Sequence, residues 1–246
     1  MTRRRVWLCL LAPLTMSFAV VAQAPRFEAL QYRLEGSAFQ PAWIVCNNHT
    51  EANVVIVSKA ANNSIRIEWF AKNAPGVRRV VTYRLGREEG AAGSVYYGLE
   101  VPGARQNQYY LRFLNLETGV GELTKTAVIN APGLENINCD GLNASGPSFQ
   151  AVTARRSVIV VSSERDGFSY TAYDHRNGPG ANPTLSLSNG IASRTSSGVR
   201  YTFTNGAYMY RVSVTYQTPS AYIDVLKNGR LLQSETPLAF VAVRAE

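Results

Sequence analysis

The sequence predicts an all-β protein: two antiparallel β modules, each a sandwich or a small barrel, behind a cleaved signal peptide. Three observations predict this class. Apolar and polar residues alternate with a period of two in many short stretches after residue 53. Clusters of Gly, Pro and Asn separate these stretches. No stretch shows the sustained 3.6-residue period, with capping residues, that an amphipathic helix needs.

Residues 1–24 have the pattern of a secretory signal. Three arginines at positions 3–5 precede an apolar run that extends to Val21, and Ala22-Gln23-Ala24 provides the small-x-small pattern that signal peptidases cut. We therefore expect a periplasmic or secreted bacterial protein that begins near residue 25. No later apolar run approaches the roughly 18 residues of a membrane-spanning helix, so we expect no transmembrane segment.

The first module is expected at residues 25–139, as a β-sandwich. Its opening segment, Phe27–Leu34, is predicted as either a short helix or an edge strand, because Phe27, Leu30 and Leu34 would share a helix face. Alternation then predicts six strands, at residues 53–58, 64–70, 77–85, 94–101, 108–115 and 123–130.

The segment 140–150 is the expected linker, since it is polar, carries Gly and Pro and has almost no charge. The second module follows at residues 151–246 as an antiparallel barrel or sandwich. Eight short strands are predicted there, at residues 157–162, 168–174, 184–188, 199–204, 207–216, 222–227, 230–234 and 238–244. Asn205-Gly206 and Asn228-Gly229 each predict a type I′ hairpin turn, whose two central residues need positive φ.

Charge argues against a dedicated nucleic-acid binder. The signal contributes three of the 25 Lys and Arg and none of the 17 Asp and Glu, which leaves a mature net charge of about +5. The basic residues are dispersed, and no run is longer than the pairs Arg78-Arg79 and Arg155-Arg156. A nucleic-acid site needs a denser basic footprint, so we expect no nucleic-acid partner.

Two cysteines remain after the signal, Cys46 and Cys139. In an oxidising compartment they predict one disulfide bond. The bond would close a loop of about 94 residues, which the chain-entropy account values at about 4–5 kcal/mol. Metal binding is the weaker alternative, because His49 follows Cys46 by three residues but no histidine lies near Cys139. We expect no metal site and no cofactor.

No residue set in the sequence predicts a catalytic site. His49 and His175 are the only histidines, and neither has metal-ligand spacing. Asp174 precedes His175, but neighbours on a strand point to opposite faces, so a surface histidine in a turn is expected there. A carbohydrate-active enzyme is the alternative class. Its paired carboxylates would be Glu68 with Glu100, or Asp174 with Asp224.

Tyrosine doublets predict a recognition surface instead. In Tyr96-Tyr97 and Tyr109-Tyr110 each doublet sends one ring to either face, which places Tyr96 and Tyr110 opposite the expected core. Tyrosine supplies large amphipathic area for binding proteins or sugars, although packing alone also accounts for such rings. A second candidate is the polar loop that begins at Tyr173-Asp174-His175-Arg176, since loops on a β scaffold often carry recognition.

Two local resemblances follow from the second module. The segments 201–210 and 223–230 resemble a pattern in uncharacterised secreted bacterial proteins, which implies no known activity. Ser197-Gly198-Val199-Arg200-Tyr201 resembles the Ser-Gly-x-x-Tyr motif of bacterial inhibitors of C-type lysozymes, which are small periplasmic β-barrels. That resemblance implies a lysozyme-inhibitor-like periplasmic protein.

Together these features predict a secreted or periplasmic protein that is not an enzyme. We expect it to act by binding a protein or glycan of the cell envelope. The candidate binding residues are Tyr96, Tyr110, Tyr173, Asp174, His175 and Arg176.

Overall fold

The computed structural model describes residues 27–91, 93–114, 124, 126–140, 147–163 and 167–245. The expected signal peptide, residues 1–24, and the centre of the expected linker, residues 141–146, lie outside this range. Within the described residues, no helix has the length and apolar character that crossing a membrane requires.

The described chain is all-β, as the alternation predicts. The first nine strands are β1 Phe27–Glu35, β2 Ala38–Cys46, β3 Asn53–Ser58, β4 Ser64–Ala71, β5 Arg79–Ala91, β6 Ser94–Glu100, β7 Tyr110–Leu114, β8 Ala127–Ala131 and β9 Leu134–Cys139. The next nine are β10 Pro147–Val152, β11 Arg156–Ser163, β12 Gly167–Asp174, β13 Leu185–Thr195, β14 Gly198–Asn205, β15 Tyr208–Thr215, β16 Ser220–Lys227, β17 Arg230–Glu235 and β18 Ala239–Ala245. One turn of 3₁₀ helix, His175–Asn177, follows β12.

All strand pairs are antiparallel, and they join the strands into one continuous sheet. Consecutive strands pair from β2 to β9 and from β10 to β17, and the two runs meet through β18 and β1. The ladder therefore runs β10–β18–β1–β2 at its centre, with β9 and β17 at its two ends. Among the described residues these two ends do not pair with each other, so the sheet that these strands form is not closed into a barrel.

The N-terminal segment differs from both alternatives that the sequence offered. Phe27–Glu35 is neither a helix nor an edge strand: β1 pairs with β18 from Phe27 opposite Ala245 to Arg33 opposite Ala239, and with β2 on its other side. The spacing of Phe27, Leu30 and Leu34 suits a helix face, but strands far along the chain decide the conformation. Such pairing with distant strands overrides the intrinsic helix or strand propensity of a segment.

Two large cores define two lobes. The first lobe, β2 to β9, wraps around sixteen buried side chains that include Ile67, Trp69 and Leu111. The second lobe, β10 to β18, wraps around a core that includes Phe149, Tyr201 and Phe240. The Cys46–Cys139 disulfide joins the end of β2 to the end of β9, with the two Cα atoms 5.0 Å apart. The predicted disulfide is therefore confirmed.

A third, smaller core lies between the lobes. Val54, Ile56 and Phe70 of the first lobe pack there with Val152 and Ala239 of the second. The connection is also shorter than expected, because Pro147–Val152 forms β10 and so residues 147–150 are strand, not linker. Their role as a strand was missed because the segment carries Gly and Pro and lacks clear alternation.

We expect the two lobes to remain associated after the chain is cut between them. Cleavage at a specific protease site inserted between Asp140 and Pro147 leaves β1 on one fragment and β18 on the other. Their seven-residue register and the shared core hold the pieces together. Size-exclusion chromatography of the nicked protein, with the uncut insertion variant as control, should show a single peak of unchanged volume. Two separate folded fragments would contradict this expectation.

The two Asn-Gly turns behave differently. Asn228 and Gly229 have φ of 49° and 77° between the paired residues Lys227 and Arg230, as a type I′ turn requires. The expectation for Asn205-Gly206 is wrong by one residue. Asn205 pairs with Tyr208, so the loop consists of Gly206 and Ala207, and only Gly206 has positive φ, at 57°. The glycine is still required, but the strand register places it first in the turn.

Candidate functional site

The outer face of β6 and β7 carries the two tyrosines that the sequence singled out. Tyr97 and Tyr109 pack against the first core, whereas Tyr96 and Tyr110 are not part of it. This is the division that strand alternation predicts for each doublet. The two outer rings lie diagonally across the β6–β7 pair, with centroids 5.5 Å apart and planes inclined at 63°. The structure thus brings Tyr96 and Tyr110 into one edge-to-face pair.

Arg112 packs against the Tyr96 ring of this pair. It lies directly opposite Tyr96 in the β6–β7 register, and its guanidinium carbon is 5.1 Å from the centroid of the Tyr96 ring. Its Nε and Nη2 donate hydrogen bonds of 3.2 and 3.1 Å to Ser94 Oγ, and Ser94 is buried. The hydrogen bonds to Ser94 hold the guanidinium group in place, and the Tyr96 ring packs against it. We call Tyr96, Tyr110 and Arg112 the tyrosine platform.

A cavity of about 340 Å³ adjoins the platform. It is lined by Glu89, Gly90, Tyr96, Gly98, Asn107 and Tyr110. Polar groups around it are already ordered: Tyr110 donates to Asn136 Oδ1 at 3.2 Å, and Asn107 Nδ2 donates to Glu89 Oε2 at 3.4 Å. Aromatic rings with a few convergent polar groups are typical of ligand sites. The arrangement suits a ligand that has both a flat apolar face and hydroxyl groups.

The second expected set, Tyr173 to Arg176, lies where β12 ends at the boundary of the two lobes. Tyr173 stacks on His49, with ring centroids 5.0 Å apart. Arg176 donates to the Asp174 carboxylate at 2.7 Å, and these hydrogen bonds lower the pKa of Asp174 to about 2. No hydrogen bond, ion pair or ring contact joins this set to the tyrosine platform among the described residues.

His175 is not the surface histidine that the sequence predicted. Its side chain is buried, with 5% exposure, because the 3₁₀ turn folds it back against β11. The backbone anchors the turn: His175 N–H donates to Arg155 O at 2.9 Å, and Asp174 caps the turn by accepting from Arg176 N–H. A histidine in a polar, glycine-rich stretch gives no local sign of such burial.

A hydrogen-bonded chain runs from His175 across the lobe boundary. Ser157 Oγ lies 3.2 Å from His175 Nε2 and donates to Asn47 Oδ1 at 2.8 Å. Asn47 in turn donates to Ala151 O at 3.3 Å. Since the Ser157 proton is given to Asn47, we assign the Nε2–H tautomer to His175, which donates to Ser157. We call Asn47, Lys72, Ser157 and His175 the junction cluster.

Burial sets the protonation of this cluster. Desolvation, with the nearby charge of Lys72, lowers the pKa of His175 to about 4, so the ring is neutral at physiological pH. Desolvation also lowers the pKa of Lys72 to about 8, and its ammonium group donates to Asn48 O. His175 Nδ1 has no hydrogen-bond partner within the described part of the chain.

This geometry does not resemble a serine hydrolase. A nucleophilic serine needs an imidazole that accepts its proton and a carboxylate that orients the imidazole. Here the imidazole donates to Ser157, Ser157 is 1% exposed, and the charge that acts most strongly on His175 is that of a lysine. The junction cluster connects the two lobes by hydrogen bonds. Its serine is buried and so is not accessible to a substrate.

The carboxylates considered for glycoside hydrolysis are engaged by arginines. Glu68 is buried between Arg66 and Arg78, at 3.5 and 3.4 Å. Asp224 is buried beside Arg211, at 2.7 Å, and also accepts from Ser234 Oγ. Neither lines the cavity beside the tyrosine platform. Within the described residues, no group of three or more His, Cys, Asp and Glu side chains is placed to hold a metal ion.

Arg112, Asn107 and Glu89 were missed from the sequence. Alternation alone places Arg112 on the same face as Tyr110, two residues away, so a local signal for it existed. The position of Arg112 opposite Tyr96 needs the strand register. The contribution of Glu89 depends on β5 extending to Ala91, beyond Leu85, where the predicted strand ends.

In the segment Ser197–Tyr201, Ser197 lies in the turn between β13 and β14, and Gly198–Tyr201 are the first four residues of β14. Tyr201 is buried in the second core, with 1% exposure. Gly198 lies so close to β15 that a Cβ atom built on it would sit 2.1 Å from Val214 O. Both residues therefore have structural roles here. Comparison of the chain with known protein families, with curated proteins and with solved structures finds no match.

Proposed function

We propose that this chain is a secreted or periplasmic binding protein without catalytic activity, and that it binds a glycan of the cell envelope through the tyrosine platform. The observation that carries the proposal is the Tyr96 ring, held by Arg112 on one side and beside an open cavity. Sugar rings present flat apolar faces edged by hydroxyl groups. Such a ligand packs on aromatic rings and hydrogen-bonds to side chains such as Asn107 and Glu89.

Secretion is supported by the arginine-rich and apolar pattern of residues 1–24 and is compatible with the Cys46–Cys139 disulfide. A binding role without catalysis is supported by the state of the reactive side chains. Ser157 and His175 are buried, and in the assigned tautomer the imidazole donates a hydrogen bond to Ser157 instead of accepting the serine proton, as nucleophilic attack requires. Glu68 and Asp224 are held by arginines away from the cavity.

We expect Tyr96→Ala to weaken binding to a purified envelope polysaccharide by about 30-fold, the value of a central aromatic contact of about 2 kcal/mol. Tyr96→Phe keeps the ring and should retain most of the affinity. Tyr222→Ala is the matched control, since this tyrosine is 46% exposed on the second lobe, away from the platform. Each variant is first compared with the wild type by thermal melting.

The identity of the ligand is tested by treating the immobilised envelope fraction. Periodate oxidation of sugars should abolish capture of the protein, and protease digestion should leave capture unchanged. The reverse result would show a protein ligand and would contradict the proposal. Equal affinity of the wild type and Tyr96→Ala for the polysaccharide would show that the tyrosine platform is not the binding site.

A further inference from the structure

A larger depression, of about 790 Å³, lies next to the tyrosine platform. It shares Glu89, Gly98 and Asn107 with the smaller cavity, so the two adjoin. Three arginines line it: Arg84 and Arg87 from β5, and Arg105 from the loop between β6 and β7. We call it the arginine groove. One surface therefore has aromatic rings at one end and guanidinium groups at the other.

A β-bulge shapes the groove. The β5–β6 register shifts between Leu85 and Glu88, so that Gly86 and Arg87 on β5 oppose the single residue Gly98 on β6. A Cβ atom on Gly98 would meet Asn107 Oδ1 at 3.1 Å, and one on Gly86 would meet Gly98 O at 3.4 Å. Glycine at both positions leaves the floor without side chains. Arg87, the second residue of the bulge, lines the groove.

The groove is lined by three arginines and two glutamates, and not every arginine has an acidic partner. Glu100 lies 3.6 Å from Arg84, and Glu89 accepts from Asn107. Arg87 and Arg105 are exposed, and neither forms an ion pair with any residue that the structure describes. Two guanidinium groups are therefore available to an anionic ligand. Guanidinium groups bind carboxylates through paired, charge-assisted hydrogen bonds.

We propose that the ligand is an acidic polysaccharide, with sugar rings on the tyrosine platform and a carboxylate bound by Arg87 and Arg105. This inference rests on the proposed function and specifies its ligand. The size of this surface favours an extended chain over a single sugar, because the groove and the cavity together exceed the volume of one sugar ring. A uronic acid polymer has the required combination of ring faces, hydroxyl groups and carboxylates.

The acidic side chain at the aromatic end separates this ligand from a nucleic acid. Glu89 lines both the cavity beside Tyr96 and the groove. A carboxylate accepts hydrogen bonds from the free hydroxyl groups that each sugar of a polysaccharide presents, whereas the sugar oxygens within a DNA strand are esterified in phosphodiester bonds. Single-strand binders instead combine stacking rings with a continuous basic groove. The edge-to-face arrangement of Tyr96 and Tyr110 also leaves no pair of parallel rings for successive bases.

The test uses a tetramer of galacturonic acid, its fully methyl-esterified form and a short oligothymidylate, each titrated calorimetrically into the disulfide-bonded protein. We expect the acid to bind, and the neutral ester to bind at least about tenfold more weakly. The double variant Arg87→Gln/Arg105→Gln should lose about tenfold in affinity for the acid and nothing for the ester, because it removes only the carboxylate contacts. Arg200→Gln/Arg230→Gln is the charge-matched control, since both arginines are exposed on the second lobe.

The outcomes separate this inference from the proposed function. Equal affinity for the acid and the ester would overturn the acidic ligand and leave a neutral glycan at the platform. Binding of oligothymidylate with the same dependence on Arg87 and Arg105 would overturn it in favour of a nucleic acid. Failure of the acid to bind, in a protein that still captures envelope polysaccharide through Tyr96, would overturn it as well. Loss of capture of all envelope polysaccharide would instead contradict the proposed function.

Discussion

Replacing Cys46 and Cys139 with alanine should lower the free energy of unfolding of the first lobe by about 4–5 kcal/mol. The bond spans 93 positions, and in the chain-entropy account a cross-link over so long a loop removes much of the freedom of the unfolded chain. The folded state is affected as well. Among the described strands, β9 pairs only with β8, and the disulfide links its end covalently to the end of β2.

Urea unfolding followed by tryptophan fluorescence measures this effect. Trp43 and Trp69 both lie in the first lobe, so the signal reports the lobe that the disulfide closes. The double variant should unfold at lower urea than the oxidised wild type, and amide exchange should rise first in Leu134–Cys139. The reduced wild type is the matched control and should behave like the variant. Free-thiol titration of the oxidised, denatured mature protein should find none. Oxidised and reduced midpoints that coincide would show that strand packing alone holds β9.

Lowering the pH from about 6.5 to 4 should cost about 3 kcal/mol of stability through His175. The folded protein holds the pKa of this residue at about 4, whereas the unfolded chain restores the ordinary value of about 6.5. The unfolded state therefore binds the proton more readily. The stabilisation from neutral His175 is complete above pH 6.5 and is lost as the pH falls toward 4. Burial is the main cause, and the positive charges of Lys72 and Arg156 add to it because a protonated His175 would be a third positive group beside them.

His175→Gln isolates this contribution. Glutamine keeps a donor toward Ser157 but does not titrate, so the free energy of unfolding should be nearly independent of pH between 6.5 and 4 in the variant. A separate fall below pH 4 should remain in both proteins. It comes from Asp174, whose pKa is lowered to about 2 by Arg176 and whose stabilisation is lost as the pH falls through that value. Parallel pH profiles for wild type and variant would show that His175 titrates normally in the folded state.

Local patterns were sufficient for most features that depend on one strand at a time, with β10 as an exception. Alternation identified most strands, and it assigned Tyr97 and Tyr109 to the core and Tyr96 and Tyr110 to the opposite face. The type I′ turn at Asn228-Gly229 followed from two residues, because positive φ at both positions is a property of the turn itself. The disulfide followed from counting the cysteines that remain after the expected signal peptide.

The errors have a common origin in pairing between distant segments. Phe27–Glu35 forms a strand because it pairs with β18, more than two hundred residues later in the chain. No local sequence pattern indicates this pairing. Asn205 became a strand residue because the β14–β15 register, set by packing along the whole hairpin, moved the turn by one position. His175 is buried because a 3₁₀ turn folds it onto Ser157 at the lobe boundary.

Side-chain alternation and cysteine pairing are local or compositional properties, so the all-β class, the disulfide and the outward face of the two tyrosines could be predicted from the sequence. The choice of neighbouring strands, by contrast, depends on how the whole chain folds. That choice placed Arg112 under Tyr96, opposed the β5 bulge to Gly98 and opened the arginine groove beside the platform. The physical reason is that strand register is fixed by long-range packing of both lobes, and a binding surface on a sheet exists only once that register is set.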